Sequence, residues 1–193
     1  MIIPVGKWII QNAFSMCTEC RKYYPEFRVS INLSYVQILK SPLMMELKQM
    51  IEHSGISCSG IIVELTESGY LEGTPAVRSV WNDMKQLRIQ IALDDFGTGY
   101  SNLMNISNLE PDIVKLDRGF TLKALSRSYE YQLMQYVIEM VHKLNQYVCV
   151  EGVETKEDLE KIKALGPDLI QGYYYSKPCS RDEFLKKFFG YSE

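Results

Sequence analysis

Histidine is nearly absent from this 193-residue sequence, which has only His53 and His142. Both fall in stretches with helical patterning, away from the strand ends, which argues against a histidine-based metal site or a nucleophile–histidine triad. An excess of basic residues is also lacking: 21 Lys and Arg face 24 Asp and Glu, for a net charge of -3. No positive field is available to wrap a nucleic-acid backbone, so DNA is not an expected partner and any nucleotide ligand is expected to be small. No apolar run reaches membrane-spanning length and no signal peptide is recognisable, so the chain is expected to be cytoplasmic, with no membrane segment of its own. The five cysteines are odd in number and scattered, which fits reduced thiols. Cys17 and Cys20 form a C-x-x-C, but it lies in a helical pattern without a second pair and reads as two ordinary helix residues. The sequons at Asn32 and Asn105 carry no meaning in such a compartment.

Apolar content, at 46%, is sufficient for a sizeable core, and 23% charged residues suit a globular domain. Short β-rich runs alternate with longer helical patterns throughout. The expected strands are Arg28 to Asn32, Gly60 to Glu64, Gln90 to Asp94, Asp112 to Lys115, Tyr147 to Glu151 and Asp168 to Gln171. Each is almost continuously apolar, as a parallel strand covered on both faces would be. Helices are expected from Pro4 to about Tyr24, Pro42 to His53, Pro75 to Leu87, about Tyr129 to Gln146, Lys156 to Leu165 and Arg181 to Phe189. In the longest of the later ones, Leu133, Val137, Met140, Val141 and Leu144 recur at helical spacing and read as core. No linker, repeat or low-complexity stretch divides the chain, so residues 1–193 read as a single domain. Repeated β-then-α implies an α/β fold with a parallel sheet, open or closed into a barrel.

Read at their C-terminal ends, the six strands finish on Asn32, Glu64, Asp94 with Asp95, Lys115, Glu151 and Gln171. In a β/α barrel such ends converge on one mouth, where these folds keep their chemistry. Carboxylates with one amide form a hard oxygen ligand set suited to Mg²⁺ or Mn²⁺. Two divalent ions about 3.5–4 Å apart need a bridging carboxylate with further anionic ligands on either side, and adjacent aspartates fit that need. The substrate such a site attracts is a phosphate ester, and Lys115 could orient the attacking water or neutralise developing charge.

The motifs Asn32-Leu33-Ser34, Glu64-Leu65-Thr66-Glu67-Ser68, Asp94-Asp95-Phe96-Gly97-Thr98-Gly99-Tyr100-Ser101, Lys115-Leu116-Asp117-Arg118, Glu151-Gly152-Val153-Glu154-Thr155 and Gln171-Gly172-Tyr173 resemble, in order, the signature of EAL domains. These are bacterial signalling phosphodiesterases that linearise cyclic di-GMP to pGpG. The resemblance runs from Ile2 to about Pro178. It implies a TIM-like (β/α) barrel, with Asn32, Glu64 and Asp94 at the first metal and Asp94, Asp95 and Glu151 at the second. By the same resemblance Lys115 holds the attacking water, Asp117, Glu154 and Gln171 contact substrate, and Glu67 anchors a loop running from Phe96 through Gly97, Thr98 and Gly99 to Asn102. Homodimerisation through the region after that loop, and a sensory domain upstream in a longer protein, are further implications.

The sequence also departs from the family pattern. It contains no Glu-Ala-Leu motif, whose glutamate would join the first metal, and its opening Met1-Ile2-Ile3-Pro4 resembles the family's stretch after that strand. Six strands are read where a closed barrel has eight. The expectation is therefore an incomplete EAL-type barrel lacking its first strands, with cleavage impaired. The alternative is a non-catalytic cyclic di-GMP receptor or regulatory scaffold, although the aspartate pair, the lysine and the Glu-Gly-Val-Glu residues that scaffolds tend to lose are all present.

Overall fold

Each apolar run of the sequence becomes a strand in the computed structural model, which describes residues 2–40, 42–66, 75–98, 106 and 109–190. In chain order the elements are α1 (Ile2–Cys20), β1 (Val29–Asn32), α2 (Tyr35–Lys40), α3 (Leu43–Ser54), β2 (Ile61–Thr66), α4 (Pro75–Gln86), β3 (Gln90–Phe96), β4 (Ile113–Leu116), α5 (Arg118–Ser126), α6 (Ser128–Lys143), β5 (Tyr147–Glu151), α7 (Lys156–Lys163), β6 (Leu169–Gln171) and α8 (Arg181–Phe189). Strand order follows chain order, β1 to β6. The pairs β1–β2, β3–β4, β4–β5 and β5–β6 are all parallel. This is the βα succession of the TIM-type class.

Two compact units make up the chain: Met1–Leu65, Gly69–Ile91 and Cys179–Glu193 in one, Thr66–Ser68 and Ala92–Pro178 in the other. In the first, α1 buries Ile10, Phe14 and Cys17 at helical spacing, and α4 buries Val77, Trp81 and Met84. Between α1 and α2 the approach is close enough that a Cβ on Gly6 would lie 2.1 Å from the Gln37 side chain. A capping box of Ser180 and Glu183 opens α8, and the hydrogen bonds from Ser180 hold the Glu183 carboxyl below its usual range. Phe184 and Phe189 of that helix pack against Phe27 with ring centroids 6.0 and 6.2 Å apart. Burial pushes the Cys17 thiol up and the Cys20 thiol up to about 11.

In the second unit, β4 is buried along its whole length and β5 at Val148, Cys149 and Val150. The β5–β6 end is closed by backbone contact: a Cβ on Gly172 would fall 1.9 Å from the Val153 carbonyl oxygen. A capping box of Thr155 and Asp158 opens α7.

Three expectations change. Helices α2 and α5 follow β1 and β4 directly; each is short and lacks the long apolar repeat that marks a helix in sequence. In α6 the buried face is Met134, Ile138 and Val141, whereas Leu133 and Leu144 are 43% and 48% exposed. Apolar residues circle this helix so widely that two stripes a residue apart both satisfy the helical period; Val141 is buried as expected, and packing otherwise selects Met134 and Ile138. Finally, β2, β3 and β4 run on past Glu64, Asp94 and Lys115 to end at Thr66, Phe96 and Leu116. The ladder continues as long as partners remain, so those polar residues lie inside the last turn of pairing and are held more firmly than strand ends.

Candidate active site

At the end of β3 the pairing with β4 slips. Leu93 pairs with Val114 and Phe96 with Leu116, so Asp94 and Asp95 together oppose Lys115. This is a β-bulge, and Asp95 sits in it with φ 62°, the left-handed region. In a regular strand adjacent side chains point to opposite faces; the bulge breaks that regularity at Asp94 and Asp95. A non-glycine residue held there costs on the order of 1–2 kcal/mol, and aspartate is among the residues that tolerate it best. Strain of this kind gathers at functional sites.

Lys115 is 5% exposed and Asp94 9%. The ammonium lies 3.0 Å from Asp94 Oδ1 and 2.7 Å from Glu151 Oε1, so one cation serves two carboxylates. The pairing of β4 with β5 sets Lys115 beside Cys149, two residues before Glu151. Asp94 Oδ1 is buried and, despite its short ionic contact with Lys115, receives no hydrogen bond. A buried oxygen in that condition has capacity left for a cation. Among the described residues, no three acidic, histidine or cysteine side chains stand close enough together to grip an ion as they are.

The loop after β3 starts with Gly97 at φ 104°, where a Cβ would come within 2.9 Å of the Phe120 ring. Gly97 is half-buried, Thr98 exposed and Phe96 buried. Glu67 and Gly99, expected to serve the same loop, lie outside the described residues, as does the stretch from Tyr100 to Asn102. Asp117 caps α5, accepting a hydrogen bond from the Gly119 amide at 2.7 Å, and its own amide donates to Phe96 O at 3.0 Å.

Glu151 pairs in register with Gln171, whose carbonyl accepts from the Val153 amide at 3.3 Å. Gly152 follows with φ 79°, and a Cβ there would meet Arg118 Cγ at 2.4 Å, so the Arg118 stem lies directly over it. The Arg118 guanidinium donates twice to Glu154 Oε1, at 3.2 Å from Nε and 2.8 Å from Nη2, and that carboxylate raises the Arg118 pKa.

In the other unit, Asn32 and Glu64 are register partners on β1 and β2. Glu64 is 5% exposed; Ser30 Oγ donates to its Oε1, and its carbonyl accepts from the Leu33 amide at 3.0 Å. Asn32 is exposed. Within the second unit the structure thus brings Asp94, Lys115 and Glu151 into direct contact, and within the first it sets Asn32 beside Glu64. Sequence reasoning overlooked Ser30 and gave Arg118 no role. The signals were there: Ser30 stands two residues before Asn32 on one strand, where same-face residues recur, and Arg118 follows the lysine by three.

The family model for the EAL domain matches residues 1–178. The cyclic di-GMP phosphodiesterase PdeR of Escherichia coli K12 is 31% identical over 178 residues, 92% of this chain and 27% of its own. PdeF of the same strain, also a cyclic di-GMP phosphodiesterase, is 30% identical over 174 residues, 90% of this chain and 23% of its own. The chain therefore spans about a quarter of the length of these relatives. Among solved structures, the EAL enzyme Bd1971 with cAMP and cyclic di-GMP bound superposes with a TM-score of 0.91 at 30% identity, covering 97% of this chain and 52% of that one. On motif order, strand succession and these likenesses together, the chain belongs to the EAL domain family.

Proposed function

We propose that this chain is a metal-dependent phosphodiesterase that hydrolyses cyclic di-GMP to linear pGpG. The observation that carries the reading is the β3 bulge, which sets Asp94 and Asp95 against a buried lysine shared with Glu151. Relatives that carry the phosphodiesterase name, and a neighbour solved with cyclic di-GMP bound, support the substrate.

The donor set fits Mg²⁺ or Mn²⁺: it is all oxygen, and Asp94 Oδ1 is a buried acceptor without a hydrogen bond. In the second unit Asp94, Asp95 and Glu151 would hold a divalent ion, and in the first unit Asn32 and Glu64 are the metal ligands that the family resemblance proposes. Bound there, divalent ions supply Lewis acidity to the phosphodiester and to water. Lys115 keeps its three N–H donors in a low-dielectric pocket, where it orients a water for in-line attack and offsets the charge that develops on phosphorus-bound oxygen. Glu154, Gln171 and Asp117 contact the nucleotide away from the scissile bond. A loop role for Glu67 and for Phe96, Gly97, Thr98 and Gly99 is proposed on the family resemblance alone.

On this reading the chain acts in the cytoplasm, which the expected reduced thiols and a nucleotide substrate support, and by the family resemblance as a homodimer and downstream of a sensory domain in a longer protein. The test is chromatographic: purified protein, cyclic di-GMP and excess Mn²⁺ are expected to yield pGpG, and chelation to abolish it. Tight binding without product would identify a receptor or regulatory scaffold and overturn the catalytic reading.

A further inference from the structure

We propose that Arg118 is a positioning residue for substrate recognition, which engages one oxygen of Glu154 and thereby presents the other to an N–H or O–H donor of the nucleotide. The inference rests on the phosphodiesterase reading and deepens it. Both guanidinium bonds go to Glu154 Oε1, and Oε2 has no partner among the described residues. A carboxylate pinned at one oxygen loses its rotational freedom while keeping a fixed acceptor, which is what a recognition contact requires.

The pair is exposed, with side chains 57% and 39% accessible, and exposed ion pairs contribute little to stability. Yet the turn below is shaped around it. Gly152 stands at φ 79° with no room for a Cβ beneath the Arg118 stem, so the turn immediately after Glu151 needs a glycine both for its backbone and for the close approach of this arginine. Asp117 fixes the other side of Arg118 by capping the helix that Arg118 begins. One arginine is thus held at its backbone by a cap and along its stem by a glycine, and its head holds the Glu154 carboxylate. A purely structural salt bridge needs none of this.

The experiment is a double-mutant cycle in steady-state kinetics on cyclic di-GMP with Mn²⁺, using Arg118→Ala, Arg118→Lys, Glu154→Gln and Arg118→Ala with Glu154→Gln. Arg118→Ala is expected to raise KM about tenfold with kcat nearly unchanged, the pattern for binding shared equally by ground and transition states. Arg118→Lys should restore part of the loss, because a lysine supplies the charge without the planar fork. The double variant should be no worse than Glu154→Gln alone. Cyclic di-AMP, with the same ribose hydroxyls and a different base edge, separates the two donor sources: a preference for guanine that shrinks in Arg118→Ala indicates the base, and an equal loss with both indicates the ribose. Additive effects in the cycle, or kinetics unchanged while the melting temperature falls, overturn the proposal. If the wild type binds cyclic di-GMP without turnover, the phosphodiesterase reading fails and the same cycle is read in Kd by calorimetry.

Discussion

Burying an ammonium between two carboxylates incurs a desolvation penalty that close pairing must offset, and Lys115 meets that condition with contacts of 2.7 and 3.0 Å. Removing it takes their shared cation from Asp94 and Glu151. Lys115→Met is therefore expected to lose about 3–5 kcal/mol of stability in urea unfolding and to lower turnover by about 10²-fold or more. Added Mn²⁺ should recover much of the stability, because the carboxylates then have another cation. Asp94→Asn is expected to behave in the opposite way, folding acceptably but losing the rise in melting temperature that Mn²⁺ gives the parent. An unchanged rise in that variant would remove Asp94 from the ligand set. Cys20 offers a pH test. Its thiol ionises near 9 when unfolded and at about 11 when folded, so the native state binds the proton more tightly. The stability this contributes is complete below pH 9 and is lost as pH climbs from 9 towards 11. Cys20→Ala should flatten that part of the stability profile, measured by denaturant midpoint.

Elements were legible in the sequence to different degrees. All six strands could be read because continuous Val, Ile and Leu runs such as those at 61–63 and 113–114 suit a strand covered on both faces. The bulge could not be read: the adjacent aspartates suggested a shared site, but a one-residue slip in register is decided by pairing with β4, which the local sequence does not encode. Nor could the face of α6, whose apolar residues satisfy two stripes at once. For the site, resemblance supplied residues and roles, and the structure added the Lys115 ion pairs, Ser30 behind Glu64 and Arg118 behind Glu154. At this scale Gly172→Ala is expected to be the most damaging small substitution, because the Cβ would strike the Val153 backbone rather than a side chain able to move. A loss of about 3 kcal/mol or more, with the β5–β6 end losing amide protection in hydrogen exchange, is the expected outcome.

For the molecule as a whole, the strand order leaves β1 and β6 each bonded on one side only among the described residues. Such edges recruit a second chain unless something blunts them. Light scattering is expected to give a mass twice the 22.3 kDa of one chain; a monomer at high concentration would count against the proposed homodimer. The same strand order also bears on synthesis. Because no strand among the described residues pairs with one made much later, a chain leaving the ribosome can add each strand to the one just completed, waiting only for the intervening helix to emerge. Growth from one end should therefore leave few unsatisfied partners at any moment, and stalled intermediates ending after β3, β4 or β5 should each protect the strands already made.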